Sequence, residues 1–152
     1  MPDPVPCREQ ILTAVVDACQ RAASDVPGLV VERERDQPVV SDEMPRVVVF
    51  EGAEDSFADF TGEDGFILDV DLEIYVTACS QAAALQKAGL LRAALIRRVI
   101  PDLAGGLARN CTLSPEPAPQ RGSWDSAAPV AGIVLSFKVE YATAENDPFT
   151  FA

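Results

Sequence analysis

The stretch FILDVDLEIYV, residues 66–76, decides the fold. Leu68, Val70, Leu72, Ile74 and Val76 take every second position, and Asp69, Asp71, Glu73 and Tyr75 fill the places between them. Side chains alternate across a β-strand with a period of two, so this strand has one apolar face and one acidic face. It belongs in a sheet covered on one side and open on the other.

Upstream, Arg46-Val47-Val48-Val49-Phe50 predicts a buried strand. Leu29-Val30-Val31 running into Glu32-Arg33-Glu34-Arg35 predicts a short strand entering solvent, and Pro38 and Pro45 bracket an extended connection between the two. Glu51 to Gly65, EGAEDSFADFTGEDG, is acidic and glycine-bearing, and it predicts an interaction loop longer than a plain hairpin turn. Downstream, Val130 to Ala142 predicts a last strand with Ile133, Leu135, Phe137, Val139 and Tyr141 on one face. Asn110 to Ser114 suggests another short strand, followed by the proline-rich loop PEPAPQRGSWDSAAP, residues 115–129.

Two segments carry a helical period instead. Between Arg8 and Ala23, Ile11, Leu12, Val15, Val16 and Cys19 recur at three- and four-residue steps, and Pro27-Gly28 then turns the chain. From Ser80 to about Ile100, Ala84, Ala88, Leu91 and Leu95 share a face. Ser80 is the expected N-cap, Arg97 and Arg98 complement the C-terminal dipole, and Pro101 is expected just beyond the end. Gly89 inside that helix costs about 1 kcal/mol relative to alanine and points to a close helix–sheet approach. The elements predict an α+β fold: a mixed, mainly antiparallel sheet with two amphipathic helices packed on one face. Residues 1–143 form one domain and 144–152 a C-terminal arm.

Composition narrows the function. The 152 residues carry 24 acidic and 12 basic side chains, a formal charge of −12, which argues against DNA wrapping or sequence readout. An acidic wall, by contrast, repels phosphates and lets a nucleic acid slide past. No apolar run is long enough for a membrane span, and the opening MPDPVPCREQ lacks the basic-then-apolar order of a signal peptide. A soluble product of the cytoplasm is expected. Cys7, Cys19, Cys79 and Cys111 show no paired spacing and there is no histidine, so neither a zinc site nor another cofactor is expected.

Catalysis has few places to reside. Asp69, Asp71 and Glu73 are the one carboxylate cluster on a regular element, and they read more simply as a solvated or subunit-contacting strand face than as a metal site. Ser136 and Lys138 are the sole hint of a Ser–Lys pair, and no phosphate-binding glycine loop occurs. No enzyme is expected. Large aromatics instead occupy poor positions for a core: Phe57 and Phe60 in the acidic loop, Trp124 in the proline-rich loop, and Phe149 and Phe151 in the arm. With Glu54, Asp55, Glu63, Asp64, Arg97 and Arg98 they are the candidate subunit and partner contacts.

The order DQPVVSDEMPRVVVFEGAED (36–55), FTGEDGFILDVDLEIYVTA (60–78), a helix, and a strand running into VEYAT (139–143) resembles the phage tail-terminator proteins, above all the minor tail protein U type. The parallels are Asp42, Glu43 and Pro45 before the valines 47–49, the turn Thr61-Gly62-Glu63, the alternating acidic strand, and Tyr141 near the end of the last strand. They span roughly residues 8–143. The resemblance implies a virion protein made in the host bacterium and assembled as a homo-oligomer, a hexameric ring capping the tail tube. Its partners would be the tail-tube protein and the head-completion or neck proteins, with DNA passing unread through the lumen. Another neck component, a head–tail connector or stopper, is the alternative. Such a ring sets Arg46, Arg92, Arg97, Arg98 or Arg109 of one copy against acidic neighbours, or recruits cations.

Overall fold

In the computed structural model, which describes residues 2–58, 62–115, 119–122 and 128–152, the alternating stretch is the middle of a long strand, β3 (Glu63–Thr77). It pairs along its whole length with β6 (Val130–Ala144) on one side and, from Asp64 to Tyr75, with β2 (Arg46–Ala58) on the other, both antiparallel. β1 (Val30–Arg33) adds to β2 in parallel. β4 (Asn110–Leu113), β5 (Gln120–Gly122) and β7 (Asp147–Phe151) each pair antiparallel with β6. The result is a seven-stranded, mixed and mainly antiparallel sheet.

Period two sorts the residues of β3 as expected. Leu68, Val70, Leu72, Ile74 and Val76 are fully buried, and so are Leu135, Phe137 and Val139 of β6. Above this face lie α1 (Cys7–Ala23) and α2 (Gln81–Ala104), whose buried stripes include Ile11, Leu12, Val15 and Cys19, and Leu91, Leu95, Val99 and Leu103. Strands and helices share one core, which makes this an α+β fold with both helices on one face. Cys19 behaves as a small hydrophobe, its thiol pushed up to about 12 by burial. Ser80 caps α2 by accepting a hydrogen bond from the Ala83 N–H at 3.1 Å.

Several features differ from their expected form. Gly89 is exposed on α2, with nothing within 4 Å of where a Cβ would lie, so it marks no close helix–sheet approach. α2 does not stop before Pro101 but carries it inside its last turn and ends at Ala104. Proline removes one helical hydrogen bond there, and burial of Val99 and Leu103 along the same stripe offsets the loss. The acidic segment Glu51 to Gly65 is mostly strand: Glu54 to Ala58 pair with Asp64 to Leu68, which are themselves backed by β6. A ladder supported from behind outweighs the weak strand propensity of glycine and aspartate. The proline-rich stretch contributes β5, and the segment expected as an arm turns at Asn146 (φ 58°) and lies along β6 as β7.

The connection between β1 and β2 crosses the sheet face away from the helices. Val48 points to that face yet is buried, sharing a small cleft with Pro38, Val39 and Tyr75. Charge holds the connection in place. Arg35 donates to Glu32 at 2.9 Å and to Glu43 at 2.7 Å, and Arg46 reaches Glu32 at 2.8 Å. The Val40 N–H and then the Arg35 guanidinium hold the Glu43 carboxyl below its usual range.

Two outcomes test this packing. Leu72→Ala should cost about 2–5 kcal/mol in denaturant unfolding, because it empties a fully buried site, whereas Glu140→Ala on the open face should stay within about 0.5 kcal/mol. Because the Glu43 pKa is lowered on folding, its stabilising effect is present above the ordinary glutamate value of about 4.3 and is lost as pH falls through the lowered one. Acid titration of Glu43→Gln should therefore show a shallower loss of stability below about pH 4.3 than the wild type.

Candidate assembly surfaces

A one-residue irregularity decides which way the β2–β3 hairpin presents its side chains. Glu51 pairs with Val70 and Glu54 with Leu68, so β2 carries one residue more than β3 between those rungs. Such a bulge moves every later side chain to the opposite face. Glu54 thereby joins the helix side, and Asp55 and Phe57 turn to the open side. Gly52 sits in the bulge, where a Cβ would lie 3.0 Å from both the Cβ and the carbonyl oxygen of Asp69. Glycine allows that approach.

On the helix side, Glu54 is half-buried. It accepts a hydrogen bond from the Tyr141 hydroxyl at 2.6 Å and pairs with Arg8 at 3.1 Å. Burial, and then the Glu54 carboxylate, push the Tyr141 phenol above its ordinary range. Tyr141 stacks on Phe66, with ring centroids 5.3 Å apart, and meets Phe151 edge-on at 6.2 Å. Phe151 is thus an internal anchor for β7, while Phe149, three residues from Asn146, is 44% exposed.

The other candidate contacts divide in the same way. Phe57 lies across Gly65, where a Cβ would come within 2.6 Å of its ring. Glu63 pairs with Arg109, and Asp64 accepts the Asn146 N–H at 2.9 Å. Asp55 is exposed. Arg97 and Arg98 project from the solvent side of α2, with Asp25 3.9 Å from Arg98. Phe60 and Trp124 lie outside the described residues.

The open face of the sheet is strongly acidic. Asp69, Asp71 and Glu73 of β3 stand beside Lys138 and Ser136 of β6. Lys138 pairs with Asp69 at 2.8 Å, the Ser136 hydroxyl donates to Asp71 at 2.5 Å, and the Tyr75 hydroxyl donates to Glu73. Lys138 and Ser136 thus contact different carboxylates. A shallow groove of roughly 380 Å³ crosses this face between the bulge at Gly52 and the segment Ser114-Pro115. Among the described residues, no group of three or more metal-ligating side chains converges. None of the described helices is long and apolar enough to cross a membrane.

No protein-family model and no curated protein matches this chain. Among solved structures, it is similar to a chain from the virion of a native gene transfer agent particle, with 18% identity and a TM-score of 0.43 over 85% of this chain and 93% of that one. At that similarity the likeness assigns neither a role nor a partner.

Tyr141→Phe should keep the aromatic cluster and lose the hydrogen bond to Glu54, lowering stability by about 1 kcal/mol in denaturant unfolding. The same change in a Glu54→Gln background should cost less, since the carboxylate it strands is gone.

Proposed function

We propose that this chain is a structural subunit of a phage-type tail: the tail terminator, a ring at the head-proximal end of the tail tube. The ring ends tube polymerisation and offers the head-completion proteins a joining surface. The observation that carries this reading is the run from Asp36 to Ala78, whose order of residues resembles tail terminators and whose strands β2 and β3 pair with an acidic face that none of the described helices covers. In a ring of six, carboxylates such as Asp69, Asp71 and Glu73 provide a wall that DNA passes without binding, because like charges repel phosphate. The role needs no catalytic residue, cofactor or metal. The paired state of Asp69 with Lys138 and of Asp71 with Ser136 favours a solvated wall over a nuclease centre.

Light scattering after size exclusion, with and without magnesium and at two concentrations, should give a mass near six subunits. Electron microscopy with tail-tube protein should then find the ring at the head-proximal tube end, with tube growth halted. Binding at the portal side of the neck but not to the tube would favour a connector or stopper instead. Magnesium-dependent DNA cleavage abolished by Asp71→Asn would overturn the structural reading altogether.

A further inference from the structure

Helix α2 has an outward face that none of the described residues covers. Leu90 is 67% exposed, the highest value among the exposed large hydrophobics of the described residues. Ala93, Ala94, Arg97 and Arg98 line a shallow cleft with it, of roughly 560 Å³, closed on one side by Asp25. The chain is short of positive charge, and most of what it has is committed. Arg8, Arg21, Arg33, Arg35, Arg46, Arg109 and Lys138 all hold carboxylates of the same chain within 3.2 Å. Arg97 holds none among the described residues, and Arg98 reaches Asp25 only at 3.9 Å. This small apolar face is thus edged by two guanidinium groups, Arg97 unpaired among the described residues and Arg98 only loosely paired.

The opposite surface exists on the same chain. Of the six carboxylates that the sequence carries from Glu51 to Asp64, with no basic residue among them, Glu51, Glu54 and Glu63 are held by Arg8 and Arg109, and Asp59 lies outside the described residues. Asp55 and Asp64 remain, and the exposed Glu145 joins them at the same end of the sheet, where its N–H donates to the Gly62 carbonyl. Asp55 is exposed there, and Asp64 spends one oxygen on Asn146. No carboxylate of this rim pairs with Arg97 or Arg98 within the chain, among the described residues. Two complementary patches on one molecule that do not meet each other are what a head-to-tail contact between copies requires, and such contacts close into a ring when the rotation permits.

We infer that the Leu90–Arg98 face of α2 docks the acidic hairpin end of a second copy of this chain, around Asp55 and Asp64. The inference rests on the ring reading and names its subunit contact. Leu90 supplies the apolar centre, and the arginines set the register against the carboxylates.

A charge exchange tests it. Arg97→Glu/Arg98→Glu leaves two acidic patches, and Asp55→Arg/Asp64→Arg leaves two basic ones, so each protein alone should self-associate about tenfold or more weaker than wild type. Mixed in equal amounts, the two should regain the wild-type mass, because every contact in an alternating ring is again attractive. Leu90→Ala should weaken association with little dependence on salt, whereas wild-type association should weaken between about 0.05 and 0.5 M salt as charge is screened. Circular dichroism melts of all variants confirm that the fold is intact, and Arg97→Gln/Arg98→Gln serves if a reversed variant fails that check.

Wild-type association by both arginine variants, no recovery on mixing, or a wild-type chain that stays monomeric at all concentrations overturns this contact. Rings that form normally in the arginine variants and still cap tubes would remove the contact and leave the tail-terminator role standing. Rings that follow the charge exchange but ignore tubes would do the reverse.

Discussion

Everything in this molecule hangs on β3, because it is paired on both edges along nearly its whole length. A strand held on both sides cannot rotate or slip by one residue without turning Leu68, Val70, Leu72, Ile74 and Val76 out into water and Asp69, Asp71 and Glu73 into the core. Each of those leucines or isoleucines contributes roughly 1.5–3 kcal/mol by leaving water, and a buried unpaired carboxylate costs more than that. Register is therefore fixed by a penalty far larger than the strength of any single contact. β2 and β6 inherit their faces from it, and the helices take the one side that is apolar.

Charge organises what hydrophobic burial leaves open. The face away from the helices would be bare at Val48 if the β1–β2 connection did not fold over it, and the connection stays there through Glu32, Arg35, Glu43 and Arg46. Each exposed ion pair is weak by itself, but four groups linked in a chain share the cost of ordering their side chains. Elsewhere on the open face the carboxylates outnumber their partners. That surplus distinguishes the two sides of the sheet: one is a core, and the other is a charged wall.

Much of this was legible in the sequence where a period exists to be read. The two-residue alternation of β3 and β6 and the helical stripes of α1 and α2 announce both elements and faces, since burial acts on every repeat. The hairpin end was less legible. Glu54 to Ala58 has no apolar alternation, and only pairing with Asp64 to Leu68 reveals it as strand. The bulge at Gly52 is a single glycine in an acidic run, yet it decides that Glu54 meets Tyr141 while Phe57 covers Gly65. Residue type alone flags Glu54, Phe57, Glu63 and Phe151 as possible contacts; their partners within the chain depend on register and are visible only in three dimensions. Arg97, Arg98, Asp55 and Phe149 remain outward, as their polar or loop setting suggested.

The pairing of β3 with β6 joins Glu63 to Ala144 and Thr77 to Val130, rungs that enclose a long stretch of intervening chain. Closing so large a loop is slow compared with forming α1, α2 or the local β2–β3 hairpin. While a ribosome is still making β6, the apolar side of β3 has helices to lean on but no second neighbour, and its outer edge stands open. Until β6 arrives, the hairpin end also lacks Tyr141, the hydroxyl that holds Glu54. A nascent chain is thus unfinished at the hairpin end, and the order of synthesis leaves Glu54 without its hydroxyl partner until most of the chain has been made.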